Sequence, residues 1–72
     1  MNVQMINVDS SNIYSVGYDE NNCILYVDFR SGSRYEYFSV PKAEFIELLN
    51  ASSKGRYFNS NIRNKYEYKH LL

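Results

Sequence analysis

RYEYFSVPKAEFIELLNASSKGRYFNSNI, residues 34–62, is the stretch whose reading decides the fold. Tyr35 and Tyr37 alternate with Arg34 and Glu36, the period of two that sends successive side chains to opposite faces of a strand. Pro41 suits a first helical position, where its missing N–H costs nothing. Phe45, Ile46, Leu48 and Leu49 then form a helical apolar stripe, with Glu44 and Glu47 facing out. Ser52 or Ser53 ends this helix or caps the next. Phe58, Ile62 and, just past the stretch, Tyr66 recur every four residues and mark one face of a second helix.

Working back from this stretch, two strands precede it. In residues 23–29, Leu25, Val27 and Phe29 face one way and Ile24, Tyr26 and Asp28 the other. In residues 13–19, Tyr14, Val16 and Tyr18 alternate with Ser15 and Gly17. A two-residue turn at Asn21-Asn22 sets Tyr18 opposite Leu25, Val16 opposite Val27 and Tyr14 opposite Phe29, because Asn tolerates the positive φ of a type I′ turn. Gly17 falls opposite Tyr26 and leaves room for a ring over the backbone. Arg30-Ser31-Gly32 forms the second turn, with Gly32 at positive φ in a bulge. That register sets Tyr35 opposite Val27, Tyr37 opposite Leu25, and Asp28 against Arg34; a one-residue slip would turn Arg34 and Glu36 into the core.

The expected fold is α+β: a three-stranded antiparallel meander followed by two α-helices packed on one face. Residues 3–8 are a candidate fourth strand, Asp9 to Asn12 a loop, and the tail YKHLL a frayed end. Leu25, Val27, Phe29, Tyr37, Phe45, Leu49, Phe58 and Ile62 are the expected core.

At 72 residues the chain is read as one domain over 1–72, burying only ~60% of its unfolded surface. Eight Tyr and four Phe supply the core, since large rings bury area efficiently. Cys23 is the only cysteine and His70 the only histidine, which excludes an intrachain disulfide and any Cys-based metal site. A lone thiol, no signal-peptide pattern and no membrane-spanning apolar run point to the cytoplasm. The charge is neutral in sum but polarised. Residues 1–41 carry two basic and five acidic residues, net −3, and residues 42–72 carry six basic and three acidic, net +3.

The run SSNI at 10–13, GYD at 17–19, LYVDF at 25–29, Gly32, YEYFSVP at 35–41 and SKGRYFN at 53–59 resembles the KTSC domain. These small bacterial and phage domains are named from the C-terminus of some lysyl-tRNA synthetases. The resemblance runs from about Val8 to Tyr66, and its most specific parts are YxYxxVP and SKGxYFN. It implies an accessory domain with no assigned activity and, through the fusion to a tRNA-charging enzyme, RNA as a partner by association only.

No catalytic, cofactor or metal constellation is legible. Asp19 and Glu20 are adjacent in a turn, Cys23 and Ser10 have no base in reach, and His70 lies in the tail. The candidate site for RNA or single-stranded DNA is Lys54, Gly55, Arg56 and Tyr57, with Arg63 seven residues beyond Arg56 on the same helical face. Basic residues interleaved with an aromatic ring suit a single strand, whose phosphates meet cations while its bases stack. The same residues also serve packing: Gly55 lets a helix approach its neighbours, and the cations edge an amphipathic helix. The alternative is a protein-interaction or homodimer surface on the outer sheet face, made of Ile24, Tyr26 and Phe38. Tyr35 and Tyr37 have the look of base-stacking aromatics, but the register turns them toward the helices.

Overall fold

The computed structural model describes residues 3–72. In chain order it contains β1 (Ile6–Asn7), β2 (Ile13–Asp19), β3 (Ile24–Phe29), β4 (Arg34–Tyr37), α1 (Lys42–Asn50), α2 (Lys54–Asn61) and β5 (Tyr68–His70). The strands form one antiparallel sheet in the order β1-β2-β3-β4-β5. The helices supply Phe45, Leu48 and Phe58 to a core shared with the inner sheet face. The α+β expectation holds, with two refinements at the edges. The candidate strand at 3–8 contracts to the two residues of β1. The tail does not fray: Tyr68, Lys69 and His70 pair with Tyr37, Glu36 and Tyr35. Without that return β4 would present a bare row of N–H and C=O groups.

The central register follows the hydrophobic alternation. Val16 pairs with Val27, Tyr18 with Leu25, Val27 with Tyr35, Leu25 with Tyr37, and Asp28 with Arg34. The first hairpin departs from expectation at both ends. Its loop is Glu20 to Cys23, with positive φ at Cys23 (56°) rather than at an asparagine. The Asp19 carboxylate holds that loop, accepting from the backbone N–H of Asn21 (3.1 Å) and of Asn22 (3.3 Å). At the other end the register shifts between Ile13 and Ser15. Ile13, fully buried, therefore takes the place opposite Phe29 that alternation assigned to Tyr14. Tyr14 is left 49% exposed, with the Arg30 guanidinium over its ring at 5.6 Å.

The second hairpin turns as expected: Gly32 has φ +98°, and its N–H donates to Phe29 O (2.9 Å). Gly17 lies opposite Tyr26, and the atoms nearest to it belong to the N-terminal segment. A Cβ there would lie 2.6 Å from Met5 Sδ and 3.0 Å from Gln4 O, so the N-terminal segment crosses the outer face at this point. Ser39, at φ 56°, swings the chain from β4 toward α1. Pro41 is the extended residue preceding the helix rather than its first helical one.

The buried core is Ile13, Val16, Leu25, Val27, Tyr37, Val40, Phe45, Leu48, Phe58 and Ile62, with Phe29 and Leu49 partly buried against it. Phe58 is its hinge, meeting Phe29 and Tyr37 edge-on at 5.5 and 5.4 Å between centroids. Ile46, expected in the apolar stripe, is exposed. Glu44, expected outside, turns in: its side chain is only 10% exposed.

Candidate functional site

Of the residues singled out in SKGRYFN, Lys54, Gly55 and Arg56 line one polar depression with Asp9, Asn12 and Asn59, whereas Tyr57 lies outside it. Ser53 caps α2 by accepting from Arg56 N–H (3.3 Å). Lys54 Nζ is turned back onto the Ala51 carbonyl (2.8 Å), where it closes the junction between the helices. Gly55 packs against the β1–β2 loop, since a Cβ there would come 2.5 Å from Asn12 Oδ1. Tyr57 is half-buried, and its hydroxyl donates to Glu44 Oε2. Burial alone would raise the Glu44 carboxyl, but hydrogen bonds from Tyr57, Tyr66 and Lys65 outweigh it and the net shift is downward.

Arg56 and Arg63 do not share a helical face, because α2 ends at Asn61. The N–H groups of Ile62 and Arg63 both donate to Phe58 O (3.0 and 2.9 Å). The Asn61 side chain donates to Tyr57 O (3.2 Å), the local competition by which asparagine ends helices. Arg63 thus stands in the turn after α2, beside the inner face of β4 and β5.

There the structure opens a cleft of about 460 Å³ that the sequence did not announce. Its base is aromatic. Tyr35 packs edge-on to Phe29 (5.7 Å) and stacks on Tyr37 (6.3 Å). Tyr68 tilts against Tyr35 (5.6 Å) and Tyr37 (5.7 Å). His70 lies flat on Tyr35, 4.4 Å away at 5°. Tyr37 is core, and burial above all pushes its hydroxyl up to about 12, with Arg63 pulling the other way. Tyr68 is 57% exposed. The rim carries Asn12, Asn59, Arg63 and Asn64, and among the described residues no carboxylate lines the cleft.

The commitments of the cations isolate Arg63. Arg34 forks onto Asp28, Lys42 meets Glu20, Lys65 meets Glu44, and Arg30 donates to Ser10 O. Among the described residues, the side chains of Arg56, Arg63 and Lys69 enter no hydrogen bond or ion pair. Of these only Arg63 lines the aromatic cleft. Asn12 and Asn59 also line a neighbouring polar depression that reaches Arg56.

Ile24 and Tyr26 of β3, and Phe38, are each half-buried. Burial first, then Glu36 across the strand pair, raises the Tyr26 hydroxyl. Phe38 follows the end of β4, donates its N–H to Glu67 O (2.8 Å), and lines a shallow depression with Tyr66 and Glu67. Among the described residues no group of three or more His, Cys, Asp or Glu side chains is placed to hold a metal ion, and no helix is long and apolar enough to cross a membrane.

The expectation of a frayed tail hid Tyr68 and His70. The available signal was Tyr68-Lys69-His70, where two rings alternate with a charged residue as in Tyr35-Glu36-Tyr37.

Comparison with known proteins gives a consistent answer. The KTSC domain model matches residues 9–66. A lysine–tRNA ligase of Nostoc punctiforme is 37% identical over 67 residues, which are 93% of this chain and 12% of that protein. The ligase of Trichormus variabilis is 40% identical over the same shares. The chain therefore spans about an eighth of the length of these relatives. An uncharacterized protein of Stutzerimonas stutzeri is 42% identical over 79% of this chain and 80% of its own. The crystal structure of a KTSC domain protein from Yersinia pestis superposes with a TM-score of 0.95 at 35% identity, covering 99% of this chain and 100% of that one.

Proposed function

The chain belongs to the KTSC domain family, and on that footing we propose that it is a non-catalytic accessory module that binds single-stranded nucleic acid weakly. The observation that carries this reading is Arg63, a cation with no side-chain partner among the described residues, at the rim of an aromatic cleft that has no carboxylate in its described lining. Rings that stack on bases beside cations that hold phosphates are the recurrent equipment of single-strand binders. Asn12 and Asn59 continue the surface toward Arg56, so a strand leaving the cleft meets a second uncommitted cation. The lysine–tRNA ligases among the relatives carry an RNA in their name, which favours RNA over DNA. Net neutrality keeps the affinity modest, because the acidic half repels phosphate.

The test is fluorescence anisotropy with short labelled oligonucleotides at low and physiological salt. Arg63→Ala should weaken binding and reduce the salt slope by about one unit, and Arg56→Ala should have the smaller effect. No binding by the wild type at low salt, or equal binding by a folded Arg56→Ala, Arg63→Ala protein, would end the reading.

A further inference from the structure

We infer that the cleft between the β4–β5 edge and the end of α2 takes one unstacked purine of the bound strand in preference to a pyrimidine. This rests on the nucleic-acid reading above and gives it a specificity. A cleft of about 460 Å³ matches one nucleoside-sized group and is too small for a duplex. Its stacking surface is braced by ring contacts: Tyr35 has His70 stacked on it at 4.4 Å and Phe29 edge-on at 5.7 Å, and Tyr68, tilted against Tyr35 at 5.6 Å, keeps more than half its surface open. A bicyclic base covers more of that surface than a single ring does.

The rim then reads the edge of the base, and it is rich in donors. Arg63 has donors only. Asn12 Oδ1 accepts from Ser10 Oγ (3.0 Å), and its amide nitrogen donates to no other described residue. Asn59 and Asn64 complete the rim, and neither side chain makes a hydrogen bond to another described residue. Guanidinium and amide groups are the side chains that pair in bidentate fashion with guanine O6/N7 and adenine N6/N7. Both purines present N7 as an acceptor, whereas a pyrimidine has a carbon on the corresponding edge. In an unpaired strand that edge is accessible to side chains.

The experiment compares a six-nucleotide oligouridylate with the same strand carrying one central adenine, one central guanine, or one central 7-deazaadenine. A single adenine or guanine should tighten binding about tenfold, the worth of one good edge contact. The 7-deaza base, which keeps the ring and loses N7, should give most of that gain back. Asn64→Ala, at an exposed turn position whose side chain makes no hydrogen bond to another described residue, should reduce the purine preference with less effect on oligouridylate. Equal affinity for all four strands would overturn the purine inference while leaving single-strand binding in place. A 7-deaza strand as tight as the adenine strand would overturn the edge reading. No binding of any strand would overturn both this inference and the function on which it rests.

Discussion

The Tyr57 hydroxyl donates to the Glu44 carboxylate across the junction of α1 and α2. Tyr66 donates to the other oxygen of the same group at 2.8 Å, and Lys65 reaches that oxygen at 3.2 Å. One carboxylate therefore ties together the first helix, the second helix and the turn that follows it. Hydrogen bonds to a charged acceptor are worth about 1.5–3 kcal/mol, and most of that is lost when a buried partner is removed. Tyr57→Phe and Glu44→Gln should each lower the unfolding free energy by about that amount. Lys65→Ala should cost little, since the Lys65 side chain is 62% exposed and its ion pair is screened. Urea unfolding of the three variants checks the ranking, and a Lys65→Ala cost equal to that of Tyr57→Phe would refute it.

The same groups set a pH window. Glu44 and Asp28 both titrate below their ordinary values, Asp28 chiefly through its hydrogen bond from Arg34. A carboxyl lowered in the folded state contributes fully above its unfolded value, and that contribution is lost as pH falls through the folded one. The two shares should therefore be complete above their ordinary values of 4.5 and 3.8 and fade below them. Tyr57 moves the opposite way, to about 12, first because it donates to Glu44. Its share is present below 10.0 and disappears as pH rises toward 12. Urea midpoints should be flat between the two limits and fall beyond each, and Glu44→Gln should soften both falls. An unchanged alkaline fall in that variant would detach Tyr57 from Glu44.

Two glycines should respond to substitution for different reasons. Gly32 has φ +98°, and nothing lies within 4 Å of where a Cβ would stand, so its cost is purely that of the backbone. Gly32→Val should destabilise by about 1–3 kcal/mol, and Ser31→Ala should not. At Gly17 the backbone is ordinary and the obstacle is the N-terminal segment, with Val3 Cγ1 2.9 Å from a Cβ. Gly17→Ala should cost about 1–3 kcal/mol in the full chain and much less in a chain lacking residues 1–5. Thermal unfolding of these variants, in the full and the shortened chain, decides this, and an undiminished Gly17→Ala cost in the shortened chain would place the clash elsewhere.

The parts of the fold that were legible in the sequence are those where one alternation has one consistent register. Leu25 and Val27 could face the helices only if Tyr35 and Tyr37 did so too, and Arg34 then had to meet Asp28. Gly32 was legible because a tight turn needs its backbone freedom. The misses share a cause, which is that a local pattern was overruled by something distant in the chain. Tyr14 fits the alternation, but the bulge gives its place to Ile13, a smaller side chain with no hydroxyl to satisfy. Glu44 reads as surface until Tyr57 and Tyr66 arrive from 13 and 22 residues away to satisfy it. The candidate site is divided: Lys54, Gly55 and Arg56 line one depression and Arg63 lines the separate aromatic cleft. Lys54, Gly55 and Tyr57 have residue types suited to binding, yet each is used by the fold, while the open cleft depends on a tail strand whose partner lies more than thirty residues upstream.

That strand gives the last prediction. The YKHLL tail has the composition of a fraying end, and if it frayed, removing it would cost nothing. In the structure it pairs with β4 at three positions, and Leu71 N–H extends the contact to Arg34 O at 2.7 Å. Tyr68 and His70 cover Tyr37 and Tyr35, which would otherwise lose their outer neighbours. An aromatic pair contributes about 0.5–1.5 kcal/mol beyond its buried area, so His70→Ala should lower stability by about that amount. A chain ending at Glu67 should lose considerably more, because β4 would become an open edge and Tyr37 would meet water. Hydrogen exchange at the Glu36 amide reports the pairing directly, because Arg34 O and Phe38 N–H on either side of it both bond toward the tail, and alternation turns Glu36 N–H the same way. That amide should be protected in the full chain and in His70→Ala, and the protection should fall in the shortened chain. An equally stable and equally protected shortened chain would show that β5 contributes nothing to the sheet, and with it the cleft would lose its outer wall.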